Sequence, residues 1–115
     1  MNIAIVGGRD FDDYNLLINS IEKQYDPTEI DGVVSGGAIG ADFLAEKYAR
    51  DINTPMKIFP AEWDVYGKSA GFKRNVKIVT SADIVFAFWD GISKGTKHSI
   101  DIAKEQNKEL HIINY

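Results

Sequence analysis

IAIVGGRDF (3–11) sets an apolar run directly against a glycine turn, and that junction decides the fold. Ile3-Ala4-Ile5-Val6 shows no polar alternation, which describes a strand covered on both faces, as in a parallel sheet. Similar runs lie at 32–34 (GVV), 57–59 (KIF), 84–89 (IVFAFW) and 110–113 (LHII). Helical spacing fills the intervals. Tyr14, Leu17, Ile21 and Tyr25 form one stripe behind Asp12 or Asp13 as N-cap, and Ala41, Leu44, Tyr48 and Ile52 a second. Phe72, Val76 and Val79 form a third behind Ser69, and Thr96, Ile100, Ala103 and Asn107 frame a fourth. Asp26-Pro27 and Thr54-Pro55 mark loops, and 60–68 reads as a loop without helical stripe. The expectation is α/β: one Rossmann-like three-layer α/β/α domain over 1–115, with right-handed crossovers. Its parallel five-stranded sheet should take the order 3-2-1-4-5. That order puts the topological switch between the first and fourth strands, where such sheets bind ligands.

At 115 residues and 44% hydrophobic content the chain has enough material for one core. It has no cysteine, which excludes disulfides and thiolate chemistry. No apolar run approaches the ~20 residues that span a membrane, and the start lacks the basic leader of a signal peptide. The expected setting is the cytoplasm. The net charge of −4 argues against a nucleic-acid partner. It is unevenly spread: residues 1–60 carry 5 basic and 10 acidic side chains, and residues 61–115 carry 8 and 7. Lys68, Lys73, Arg74 and Lys77 lie together with no acid between 67 and 77, as a solvated helix face or as a local anion site.

Three strands end in small-residue turns that open helices. They are Gly7-Gly8-Arg9-Asp10, then Ser35-Gly36-Gly37-Ala38-Ile39-Gly40-Ala41-Asp42, then Asp90-Gly91-Ile92-Ser93-Lys94-Gly95-Thr96. In the expected order they share the carboxyl edge. Glycine admits close approach of a ligand, and helix N-termini present unpaired N–H groups with partial positive charge, so phosphate is the natural guest. The first turn is not G-x-G-x-x-G, the second strand ends without the ribose-binding acid, and G-x-x-x-x-G-K-[ST] is absent. An ordinary NAD dehydrogenase and a P-loop NTPase are therefore excluded.

IVGGRDF (5–11), VVSGGAIGAD (33–42), AEWDVYGKSAGFKRN (61–75), SADIVFAFWDG (81–91) and SKGT (93–96) together resemble the YspA-like branch of the SLOG superfamily. That superfamily includes the lonely-guy phosphoribohydrolases and the Rossmann domain of the DNA-processing protein DprA. The resemblance implies a Rossmann-like binder of nucleotides or nucleotide-derived signals, a homodimer, and a phage or mobile-element setting. Arg74 matches the lonely-guy arginine by standing nine residues before Asp83, and Gly95-Thr96 match that group's Gly-Thr pair. Ser99 stands where those enzymes carry a glutamate, and serine cannot replace a carboxylate in N-glycosidic cleavage. Asp10, Asp42 or Asp90 would have to substitute, with Arg74, Asp10 and Asp42 the candidate catalytic residues.

Arg74 is the leading phosphate ligand, against a surface ion pair with Asp64, and Arg9 is a weaker analogue. Asp42 either caps its helix or contacts a ribose hydroxyl. Trp63 and Tyr66 either stack on a base or cover the sheet edge. His98, Asp101 and Glu105 share a helix face but are too few for a metal site, and His111 reads as a core or edge histidine. Trp89 borders the expected pocket. The expectation is thus a cofactor-free module that senses or sequesters a nucleotide or ADP-ribose-like signal. Its ligand residues would be Gly7, Gly8, Arg9, Ser35, Gly36, Gly37, Gly40, Asp42, Arg74, Asp90, Ser93, Lys94, Gly95 and Thr96. The alternative is a nucleotide-processing hydrolase or transferase.

Overall fold

The computed structural model describes residues 1–115. The strands are β1 (Asn2–Gly7), β2 (Gly32–Ser35), β3 (Met56–Ile58), β4 (Ile84–Trp89) and β5 (Glu109–Asn114). They form one sheet in the order β3-β2-β1-β4-β5, every pair parallel, as the buried runs predict. The longer helices are α1 (Tyr14–Glu22), α2 (Ala41–Asp51), α4 (Ala70–Thr80) and α5 (Lys94–Glu105), with a single turn, α3, at Trp63–Tyr66. This is a Rossmann-like α/β fold.

The sheet separates two apolar layers. Leu17, Ile21, Tyr48 and Phe11 pack with Ile3, Ile5, Phe86 and Phe88 on the side of α1 and α2. Ile78, Val79, Ile100 and Ala103 pack with Ala4, Val6, Val34 and Val85 on the side of α4 and α5. Asp13 caps α1 by accepting from Leu16 N at 3.0 Å. No helix is long and apolar enough to cross a membrane.

Two local features differ from the sequence reading. Segment 60–68 is not plain loop, since it holds α3 and runs through a 3-10 turn at Gly67–Ser69 into α4. The third stripe is also rotated. Phe72 and Val76 face outward, while Ala70, Asn75, Ile78 and Val79 are buried. Apolar spacing alone marked the wrong side because the inward face includes a polar residue, Asn75, whose hydrogen bonds are all made within the fold.

Candidate functional site

At the carboxyl edge the turns after β1, β2 and β4 surround a cleft of about 500 Å³. It lies beside the β1–β4 pair, at the switch point of the sheet. The first two turns are bonded to one another, with Ala41 N donating to Gly8 O at 3.1 Å. Gly40 makes this possible. Its φ of 74° is in the left-handed region, and a Cβ there would collide with the Gly8 and Arg9 backbone. Trp89 fixes the third turn by donating from Nε1 to Ser93 O at 3.0 Å.

Most of the residues named from sequence meet here. Gly7, Gly8, Arg9 and Asp10 line the cleft from the first turn, and Asp90, Ser93, Gly95 and Thr96 from the third; Asp42 and Arg74 complete the set. Ser35, Gly36, Gly37, Gly40 and Lys94 do not line it. Ser35 is fully buried, Gly36 serves through its carbonyl, and Lys94 is exposed at the start of α5. Sequence reasoning missed Asn75 and Ser99, which also line the cleft at only 8% and 2% exposure. Their one sequence signal was a polar residue at an inward helical position.

Arg74 forms no ion pair, with Asp64 or any other acid. Its Nη1 donates to Gly36 O at 3.3 Å and its Nε to Asn75 Oδ1 at 3.1 Å, so the guanidinium is held at the cleft wall with Asp42 nearby but not in salt-bridge contact. Across from it, the N-cap Ser93 side chain makes no capping bond to α5, and of the amides at the start of α5 Asp90 engages only that of Ser93. Ser93 Oγ instead lies 3.3 Å from Thr96 Oγ1, which leaves the first-turn amides and the positive end of the helix dipole facing the cleft.

The three carboxylates are engaged differently. Asp90 accepts from Ile92 N at 2.9 Å and Ser93 N at 2.8 Å, and those N–H groups hold its carboxyl below the usual range. Asp10 accepts from the Tyr115 hydroxyl at 2.6 Å. Asp42 accepts from Ala38 N at 3.2 Å, yet burial raises its pKa against the opposing pull of that N–H, Ser35 and Arg74. Two of the three are thus structural ties of their loops, and the third is biased toward its neutral form. No group of three or more His, Cys, Asp or Glu side chains is placed to hold a metal ion. His111 is half-buried at the sheet edge, stacked on Phe86 and paired with Glu109.

Beyond the cleft wall, the segment 63–77 presents an aromatic and basic surface. Trp63 and Phe72 are 55% and 56% exposed, and Tyr66 is exposed with Lys73 Nζ over its ring at 4.8 Å. Lys68, Lys73, Arg74 and Lys77 stand in this stretch against a single acid, Asp64. Lys77 reaches Glu62 at 4.0 Å.

Comparison with known proteins places these features. The family model described as YAcAr, the YspA, cpYpsA-related SLOG family, matches residues 1–66. The chain is 37% identical over 89 residues to the gene 61 protein of Mycobacterium phage D29, covering 72% of this chain and 70% of that protein. Its fold is similar to that of DNA processing protein A from Helicobacter pylori, a protein with a single-stranded DNA binding mode. The TM-score is 0.65 at 19% identity over 97% of this chain. The chain spans 64% of that structure's length.

That neighbour corrects two expectations. The reading of the ligand as a free nucleotide or ADP-ribose-like signal gives way, because the structural neighbour takes single-stranded DNA instead. The exclusion of nucleic acid also falls, since a protein with the same fold binds single-stranded DNA. The physical reason is that net charge is an average. The −4 is set by acids outside 63–77, and screening over about 10 Å leaves the local basic surface to act on its own.

Proposed function

The chain belongs to the YspA, cpYpsA-related SLOG family, and we propose that it binds single-stranded DNA, with residues 1–115 acting as one binding domain. The observation that carries this reading is that Arg74 lines the cleft and also belongs to the stretch 63–77, whose aromatic and basic side chains are exposed. A backbone phosphate would enter the cleft between the α5 N-terminus and the Arg74 guanidinium, with Gly7, Gly8, Gly95 and the Thr96 hydroxyl against it. Neighbouring bases would stack on Trp63, Tyr66 and Phe72, while Lys68, Lys73 and Lys77 follow the backbone. A duplex keeps its bases stacked on one another and offers those rings nothing, so single strands are preferred. The proposed setting is the cytoplasm, in keeping with the phage relative.

The test is fluorescence anisotropy with a labelled oligothymidylate of roughly 20 nucleotides, chosen to exceed a typical single-domain site of about 4–16. Saturable binding is expected, weakening with salt at a log–log slope of about −2 to −3, as for three or four neutralised phosphates at roughly −0.7 each. Absence of binding at about 50 mM salt, where phosphate contacts are strongest, or equal binding of a duplex, overturns the proposal.

A further inference from the structure

The turn after β2 holds two adjacent glycines that are glycine for different reasons. Gly37 has a φ of 73°, in the left-handed region, so its own backbone calls for the missing side chain. Gly36 has no such φ and would accept a Cβ on conformational grounds. A ligand's close approach does not explain it either, because Gly36 is buried and does not line the cleft. What a Cβ at this position would meet is Arg74. It would overlap Nη1 of the guanidinium and stand 3.0 Å from Cζ, with Asp42 Oδ2 also at 3.0 Å. All three of these nearest atoms belong to side chains, whereas a Cβ at Gly7 would strike the Phe88 carbonyl at 2.7 Å. The bare face of Gly36 is therefore filled by the arginine.

We propose that Gly36 is a positioning residue for Arg74, the seat that sets where the guanidinium stands at the cleft wall. The DNA-binding part of this inference rests on the function proposed above. Arg74 has two ties, Nε to Asn75 Oδ1 at 3.1 Å and Nη1 to Gly36 O at 3.3 Å. Gly36 thus supplies both the second tie and the space in which it is made. A methyl group at 36 claims that space, and Nη1 must withdraw by about 1 Å to regain van der Waals separation. With Nε still held by Asn75, the guanidinium turns about that end and its bond to Gly36 O gives way. The group is planar and rigid, so displacing one nitrogen re-aims the others, and a paired grip on phosphate depends on that aim.

Asp42 is the other side chain that an added methyl would crowd. Its carboxylate accepts from Ala38 N at 3.2 Å, and a contact at 3.0 Å asks it to give by only a few tenths of an ångström. Arg74 Nη1, at the point of overlap, has to move farther. It is the far end of a flexible side chain and can do so without disturbing β2, where Phe59 N donates to Ser35 O at 2.9 Å. The substitution thus acts on the aim of the arginine and leaves the turn standing. Any part that runs through Asp42 is separable, because it persists when Arg74 is removed.

Gly36→Ala in the full chain is the test. Its affinity for the oligothymidylate should fall about fivefold, the worth of roughly one hydrogen bond, and by less than in Arg74→Ala. In the Arg74→Ala background the seat is empty, and the same substitution should change affinity by less than about 1.5-fold. The double variant should also melt no lower than Arg74→Ala alone, since alanine at a compatible φ restricts the unfolded chain. No loss from Gly36→Ala alone, an equal loss with and without Arg74, or a lower melting temperature in the Arg74→Ala background overturns the proposal. A second arm needs no DNA. In nitrogen NMR of the free protein, the Arg74 Nε–H signal should shift in Gly36→Ala while the Phe59 amide stays in place. An Arg74 signal indifferent to the substitution overturns the inference. If wild type binds no DNA at about 50 mM salt, the function proposed above fails and this second arm decides the positioning role by itself.

Discussion

α2 and α4 are both eleven-residue helices that start from the same edge of one sheet, and they use their side chains in opposite ways. α2 turns Ala41, Leu44, Ala45, Tyr48 and Ala49 into the core and meets the large side chains of β1, β4 and α1. α4 buries Ala70, Asn75, Ile78 and Val79, holds Arg74 at the cleft, and leaves Phe72 and Val76 in water. Exposed apolar side chains are ordinary when scattered. Phe72, Val76, Trp63, Val65 and Tyr66 fall within fifteen residues of sequence, interleaved with lysines, and the proposed binding surface rests on that grouping. The comparison teaches that α2 spends its apolar residues on packing, while α4 leaves two of its own in water, where the proposed function uses them.

The largest effect that tests this division is on the α2 side. Tyr48→Ala empties a fully buried site and should cost about 3–5 kcal/mol in chemical denaturation. A loss below ~1 kcal/mol would mean that α2 is not the packing helix. Phe72→Ala, on α4, should leave stability within about 0.5 kcal/mol. It should weaken oligothymidylate binding by about 1 kcal/mol, roughly fivefold, through one lost stacking platform. If Phe72→Ala destabilises strongly instead, α4 is a packing helix like α2 and the contrast fails.

Asp42→Asn sharpens the comparison where α2 reaches the cleft. Burial raises the folded-state pKa of Asp42 above its unfolded value. The charged form is thus the one the fold disfavours. Its contribution is most favourable at low pH and is lost as pH rises through the folded pKa. Asparagine keeps an acceptor for Ala38 N without the charge, so Asp42→Asn should raise the melting temperature at pH 7. That gain should disappear in acid, and DNA binding should tighten. A melting temperature lowered at pH 7 contradicts this reading. The smallest effect is expected for Tyr48→Phe. The Tyr48 hydroxyl is buried without a partner, and burial pushes its pKa up to about 12. Its removal should leave stability unchanged or improve it by up to about 1 kcal/mol.

The sheet order was legible because uninterrupted apolar runs such as Ile3–Val6 and Ile84–Trp89 have only one comfortable environment, and glycine turns after three of the strands placed the cleft. What stayed hidden depended on partners distant in sequence. Asn75 was passed over because nothing in its own neighbourhood marks it, yet its amide is satisfied by Arg74, Gly95 and His98, the last two 20 and 23 residues on. Phe72 and Val76 were read as core because spacing reports a stripe and not what it faces. The partner was misjudged from net charge, which sums over all surfaces, while binding is decided at one.

Arg74 lines the cleft and belongs to the exposed stretch 63–77, so the most direct measurement is the salt dependence of oligothymidylate binding by wild type and Arg74→Ala. Wild type should bind, and Arg74→Ala should bind at least tenfold more weakly, on the order of 1.5–3 kcal/mol for charge-assisted bonds to phosphate. Its salt slope should be shallower by about 0.7, one phosphate contact, with thermal stability little changed. Equal affinity and equal slope for the two proteins, or no binding by wild type at low salt, would contradict the account.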